Sequence, residues 1–319
     1  MKKNQTTIAS EVSISGKGLH TGYAVSINLQ PAPADHGIVF QRIDLQNKPT
    51  VKAHILNVAN TARSTNLQEN EASVKTVEHL LAALAGIGID NLLVQIDAEE
   101  MPILDGSAAP FVKLLKQAGI KELSALREYI SVNEVVKFEK PDIGIELLLV
   151  PAEKFSMSVM VDYGTSVLAS QYASIKKIEE FTEVIASCRT FVFLHELHYL
   201  IKNNLVKGGE LDNAVVFVDK KPDPEILEEI GSFFNKMDIQ VNENGTLNNV
   251  KLQYFNEPAR HKLLDLLGDL YLLGKPIKGE IIARKPGHFA NIEFVKLIYE
   301  AITPPTTVLA APLHYKNNH

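Results

Sequence analysis

Two stretches of the 319-residue chain repeat the same features in the same order. In the first, His79 opens the helical pattern 76-TVEHLLAALAGIG-88, 91-NLLVQID-97 reads as a strand, Asp105-Gly106 falls in a loop, and FVKLLKQAGI begins at Phe111. In the second, His261 opens a helix in 258-PARHKLLDLLGDLYLLG-274, 279-GEIIAR-284 reads as a strand, Gly287-His288 falls in a loop, and FVKLIYEAI begins at Phe294. The histidine-to-phenylalanine spacing is 32 residues in one copy and 33 in the other. Shared order, spacing and the FVKL tetrapeptide favour a duplicated unit. The expected architecture is therefore α+β, with two related domains, 1–126 and 127–303, and a tail or linker over 304–319. Each copy brings one histidine near the start of a helix, so a site in the cleft between the copies could use both.

The rest of the pattern fits a mixed fold. Alternating or short apolar runs at 24–30, 144–150, 155–161 and 213–218 predict strands, while 110–119 and 293–302 carry helical periodicity. Polar residues 220–257 predict an excursion with a short helix near 224–234, and three prolines after residue 302 end the last helix. A net charge of −6 without a basic face argues against nucleic acid and anionic membranes as partners. No run of about 18 apolar residues predicts a membrane span, and no signal peptide stands at the start. Cys188 is the single cysteine, which excludes an intrachain disulfide and fits the reducing cytoplasm.

The helix from residue 258 raises a chemical question. At about 100° per residue, Asp265 and Asp269 fall about 40° and 80° from His261, while five leucines and Tyr271 fill the opposite arc. A buried carboxylate costs several kcal/mol unless it is paired or binds a metal. His261 and Asp265, spaced i and i+4, can both reach one divalent ion, yet spacing alone leaves a solvated stripe or a simple His–Asp pair as the plainer reading. In the first copy His79 points away from the apolar face of Val77, Leu80, Leu81 and Leu84, on a side carrying Ala82, Ala83 and Gly86. Those small residues admit a close neighbour, although an exposed turn is also open. Taken together, His79, His261 and Asp265 make a three-ligand set suited to catalytic zinc, with Glu78 as a base and His288 as an acid.

These residues also carry a resemblance. The segments 76-TVEHLLAALAGIGIDN-91, 102-PILDGSAAPFVKLL-115, 187-SCRTF-191, 208-GG-209, 260-RHKLLDLLGD-269 and 286-PGHFAN-291 are similar to the UDP-3-O-acyl-N-acetylglucosamine deacetylases. So are 14-ISGKGLHTG-22 and 31-PAPADHGIVFQRIDL-45. The resemblance implies a zinc amidase of lipid A biosynthesis that removes acetate from UDP-3-O-(3-hydroxyacyl)-N-acetylglucosamine, with two similar sheet-and-helix domains sandwiching the site. It implies zinc ligands His79, His261 and Asp265, base Glu78, and His288 as the group that steadies the oxyanion and protonates the leaving amine. Asp269 would orient His288, Thr190 would donate to the oxyanion, Phe191 would line the acyl route and Lys262 would contact polar groups of the substrate. One departure is Val150-Pro151, where many members have a lysine before the proline. Some members continue into a 3-hydroxyacyl-carrier-protein dehydratase, for which the Pro-rich tail would be a linker. A zinc hydrolase for another amide or ester, and a non-catalytic nucleotide-sugar or lipid binder, stand as alternatives. Glu78 and His288 around a metal set argue against a mere binder.

Other features are expected to be structural. His195 and His198 of HELH sit i,i+3 on a helix without an acidic cluster to complete a metal set. Cys188 reads as a buried thiol rather than a nucleophile. The glycines of GKGLHTG lack the strand-then-helix setting of a phosphate loop, which leaves His20 structural.

Overall fold

The computed structural model describes residues 3–203 and 205–303, so the expected linker over 304–319 lies outside the described residues. Two five-stranded sheets share one topology. The first runs Val12–Lys17, Ala24–Pro31, Leu92–Ile96, Ile38–Arg42, Thr50–Lys52. The second runs Val136–Lys140, Ile145–Val150, Glu280–Arg284, Ser156–Val161, Gln171–Ile175. In each, the strand that comes last in sequence takes the central place, antiparallel to one neighbour and parallel to the other. Alternation sets the faces: Val25, Ile27 and Leu29, and likewise Met157, Val159 and Val161, are buried while their neighbours are less so. The fold is α+β with two similar layered halves.

Seven helices lie among the described residues: α1 (Glu78–Ile87), α2 (Ala109–Ala118), α3 (Phe181–Val184), α4 (Leu194–Lys202), α5 (Pro224–Phe233), α6 (Glu257–Leu270) and α7 (His288–Ile302). Helix α2 packs on the first sheet and on α1, α6 and α7 pack on the second sheet, and α1 packs on α6 across the middle. Both halves are also interrupted at the same point, between the fourth sheet strand and the histidine-bearing helix. The first insertion is a small sheet of Val58–Asn60, Asn66–Glu69 and Ala72–Val74. The second spans 176–256, includes α3 to α5 and the parallel pair Phe191–Phe193 and Val215–Phe217, and is wider than the predicted 220–257 excursion.

Two helix starts differ from the sequence reading. α6 begins at Glu257 with Pro258 in its first turn, where a missing N–H costs nothing, so His261 lies in the second turn. α7 begins at His288 itself, not at Phe294; Gly287 caps it, and His288 stands at the helix end rather than in a loop. α6 gives way to a 3-10 turn at Tyr271–Leu273 that Gly274, at φ 73°, terminates in the left-handed region.

The crossing of α1 and α6 is closed by small residues. Ala82 and Ala83 are fully buried, and a Cβ on Gly268 would stand 2.2 Å from the carbonyl oxygen of Glu78. One apolar core runs through both halves, from Ile27 and Leu80 to Leu263 and Phe294. Gly268→Ala should therefore lower stability by about 1–3 kcal/mol through overpacking. Denaturant unfolding measures it, and a wild-type midpoint would contradict this helix contact.

Candidate metal centre and catalytic cleft

Backbone geometry brings one histidine from each half to the same place. His79 sits in the first turn of α1 and His261 in the second turn of α6, with ring centroids 5.1 Å apart and planes at 90°. Asp265, one turn beyond His261, places Oδ1 3.3 Å from Nε2 of His261 and 3.8 Å from Nε2 of His79. Nitrogen and oxygen donors about 2.0–2.1 Å from a tetrahedral ion stand roughly 3.3 Å from one another. Among the described residues this trio is the group that could hold a metal ion, its ligand atoms lying within 4.8 Å of one another. All three side chains are buried, and Asp265 Oδ1 has no hydrogen-bond donor. A carboxylate oxygen left so is costly unless a cation meets it. His261 Nδ1 lies 3.0 Å from the Cys188 carbonyl; donating there leaves the Nε2 lone pair facing Asp265.

The protonation states suit a ligand set. Burial, and then the neighbouring His261, hold His79 down at about 3. Burial also lowers His261, so both imidazoles are neutral. Burial opposes the charge of Asp265, but His261, Lys262, His288 and His79 outweigh it and hold the carboxyl well below its ordinary range. Lys262 Nζ, 2.8 Å from Asp265 Oδ2, occupies the other carboxylate oxygen. Lys262 also stands 5.7 Å from the centre of the Phe191 ring.

Two further groups face the trio. Burial first, then Asp269 and Asp265, push Glu78 up to about 7 against the pull of His288. Burial works against a charged His288, but Asp269 and Glu78 raise it to about 9. His288 Nε2 is 3.7 Å from Glu78 Oε1 and 4.0 Å from Asp265 Oδ2, while its Nδ1 is 3.2 Å from Asp269 Oδ2. The cleft thus pairs a carboxylate near its midpoint at neutral pH with a protonated imidazole, an acid–base pair in one pocket.

Thr190 and Phe191 lie on the wall of a cavity of about 790 Å³ that also meets His79, His261 and Asp265. Its lining also includes the apolar Leu197, Leu200, Leu205, Val206 and Phe234. Phe191 packs edge-on against Tyr163 and Phe217. The Thr190 N–H donates to the Gly106 carbonyl at 2.8 Å, which ties this wall to the first half. Gly106, at φ 80°, admits Asn213 so closely that a Cβ would stand 1.8 Å from its carbonyl oxygen.

Some supports were not visible in the sequence. Glu257, fully buried, receives the backbone N–H and side chain of Arg189, which holds residues 188–191 against the start of α6. Glu100, also buried, receives the N–H groups of His20 and Thr21 and the hydroxyls of Thr21 and Thr76, which shapes the GKGLHTG loop. Thr65 touches both Glu78 and Asp269. No helix follows the GKGLHTG loop, so no phosphate loop forms, and His20 lies on the cavity wall. His195 and His198 pair separately with Asp219 and Glu229 and share no site.

The sequence matches the family model described as UDP-3-O-acyl N-acetylglycosamine deacetylase over residues 5–229 and 227–300. The chain belongs to that family. A bifunctional enzyme LpxC/FabZ of Porphyromonas gingivalis is 42% identical over 300 residues, covering 94% of this chain and 65% of the relative. A Bacteroides thetaiotaomicron enzyme of the same name is 40% identical, covering 93% of this chain and 65% of the relative. The chain therefore spans just under two thirds of those relatives. A UDP-3-O-acyl-N-acetylglucosamine deacetylase of Teredinibacter turnerae is 41% identical, covering 92% of this chain and 89% of its own length.

Within this deacetylase fold Cys188 meets the site through its backbone carbonyl at His261 Nδ1, while its thiol points elsewhere, within reach of the Val184 carbonyl. It is fully buried, and burial pushes its thiol up to about 12. The native protein should react with a disulfide reagent at pH 8 far more slowly than the unfolded chain, which should titrate its one thiol. Equal rates in the two states would contradict this burial.

Proposed function

We propose that the chain hydrolyses the acetamide of UDP-3-O-(3-hydroxyacyl)-N-acetylglucosamine, releasing acetate in the committed step of lipid A biosynthesis, with zinc held by His79, His261 and Asp265. The observation that carries this reading is the convergence on one buried point of a neutral two-histidine, one-carboxylate set with an unpartnered oxygen, a base and an acid. The apolar residues lining the adjoining cavity suit an acyl chain.

The ion, when bound, supplies Lewis acidity, lowering the pKa of water toward neutrality and polarising the amide carbonyl. Glu78 takes a proton from the water that adds to the acetyl carbon. The Thr190 hydroxyl donates to the oxygen that gains charge in the tetrahedral intermediate, and cationic His288 shares that charge. As the C–N bond breaks, His288 gives its proton to the amine and acetate departs. Asp269 holds the His288 ring through Nδ1, leaving Nε2 toward the reacting atoms. Phe191 lines the acyl route, and Lys262 keeps Asp265 oriented while reaching toward polar groups of the substrate.

Three further points belong to the same proposal. The halves divide near residue 126, which is supported by the end of the strand Ile120–Leu126. The work is cytoplasmic, supported by the nucleotide-sugar substrate; among the described residues no helix is long and apolar enough to cross a membrane. Fusion to a 3-hydroxyacyl-carrier-protein dehydratase is supported by relatives that are named bifunctional enzymes.

Acetate release from the acylated UDP-sugar should stop on chelation and return with zinc, with about one zinc per chain by metal analysis. His261→Ala should lose both metal and turnover. Glu78→Ala should keep the metal and lose about 10²- to 10⁴-fold in kcat. Full turnover by the chelated protein, or by Glu78→Ala, would overturn the reading.

A further inference from the structure

The loop before strand Asn66–Glu69 delivers one residue that the proposed chemistry does not use. Thr65 is fully buried, yet it is not on the cavity wall and touches none of the metal trio. Its backbone N–H donates to Glu78 Oε2 at 3.1 Å, and its carbonyl accepts from the Val77 N–H at 3.3 Å. Its hydroxyl donates to Asp269 Oδ1 at 2.5 Å, and the same oxygen lies 3.2 Å from His288 Nδ1. One residue thus contacts the base, the acid and the partner of the acid.

The donor inventory fixes what those contacts do. Asp269 is fully buried and accepts on both oxygens, taking the Thr65 hydroxyl on Oδ1 and the Asn291 amide on Oδ2 at 2.8 Å. Having spent its single hydrogen on Asp269, the Thr65 oxygen can only accept from His288. Nδ1 of His288 must then carry hydrogen, shared between Asp269 Oδ2 and Thr65 Oγ1, each 3.2 Å away. That sets the ring plane and turns Nε2 toward Glu78. The loop presenting Thr65 is itself pinned: Ser64 and Asn66 bond to each other, and Asn66 bonds to Asn60 and to the backbone of Thr76. Its backbone is held at the point where the hydroxyl is needed.

We propose that Thr65 is a positioning residue, which registers the base Glu78 against the Asp269–His288 pair through its N–H and its hydroxyl. The inference rests on the deacetylase reading. Removal of the hydroxyl leaves Asp269 Oδ1 buried without that donor and frees the carboxylate and the ring to turn together. Since Thr65 reaches the reaction only through these groups, its loss acts on turnover rather than on substrate binding.

The test compares Thr65→Val, which keeps shape and N–H, with Thr65→Ser, which keeps the hydroxyl, in the acetate-release assay beside wild type. Thr65→Val should lose about 10- to 100-fold in kcat with KM and bound zinc unchanged, and Thr65→Ser should recover most of that loss. Wild-type kcat in Thr65→Val overturns the proposal. So does a Thr65→Ser variant as slow as Thr65→Val, which would mean that the methyl group matters and the hydroxyl does not. Thermal melts accompany the kinetics; if Thr65→Val does not fold, Thr65→Ala against Thr65→Ser makes the same comparison. A wild-type protein that releases no acetate overturns the deacetylase reading itself, and this inference with it, whatever the variants do.

Discussion

Three carboxylates, those of Glu78, Asp265 and Asp269, lie buried where α1 crosses α6, and the cost of keeping them there organises the surrounding structure. Each is answered differently. Asp269 is met by donors on both oxygens, Thr65 on one and His288 and Asn291 on the other. Asp265 has one oxygen on Lys262 and the other unpartnered, which suits a metal ligand. Glu78 has a single backbone donor on Oε2 and sits near its midpoint at neutral pH, which suits a base. Three groups of the same chemical type thus differ in function because their neighbours differ.

The duplication explains how such a cluster can be built without crowding. Counting from each histidine, His79 corresponds to His261, Ala83 to Asp265, Gly86 to Gly268 and Ile87 to Asp269. The second copy carries Asp265 and Asp269 where the first has small or apolar residues, and the first copy contributes Glu78 from the start of α1. Both copies keep the glycine, and both use it for close approach. Gly86 admits the ring of Phe181, and Gly268 admits the backbone of Glu78. The second of these contacts carries the base to the metal trio, so packing at Gly268 and chemistry at Glu78 are one constraint. Rigid placement of charged groups in a largely buried site is what makes them effective.

Much of this was legible along the chain because it was local or repeated. The helix period placed His261, Asp265 and Asp269 on one side, and the stripe of Ala82, Ala83 and Gly86 signalled close neighbours of α1, which the structure identifies as α6 and, at Gly86, Phe181 of α3. The supports were not legible, because their partners are far apart in sequence. Thr65 meets Asp269 across 204 residues and Glu257 meets Arg189 across 68, with no spacing rule to join them. The start of α7 was missed for a smaller reason. 286-PGHFAN-291 has a loop-like composition, and only the continuing backbone hydrogen bonds carry the helix back to His288.

By itself the sequence determined the two-part α+β plan, the candidate ligands and the family, since periodicity, internal repetition and motif order are properties of the chain alone. Tertiary structure decided that the stripe on α6 is buried, that His79 and His261 stand within reach of one carboxylate oxygen, and which oxygen of each carboxylate is left for chemistry. Those outcomes depend on two helices from different halves meeting at Gly268. Burial, and with it every shift in protonation, arises only when both surfaces are present.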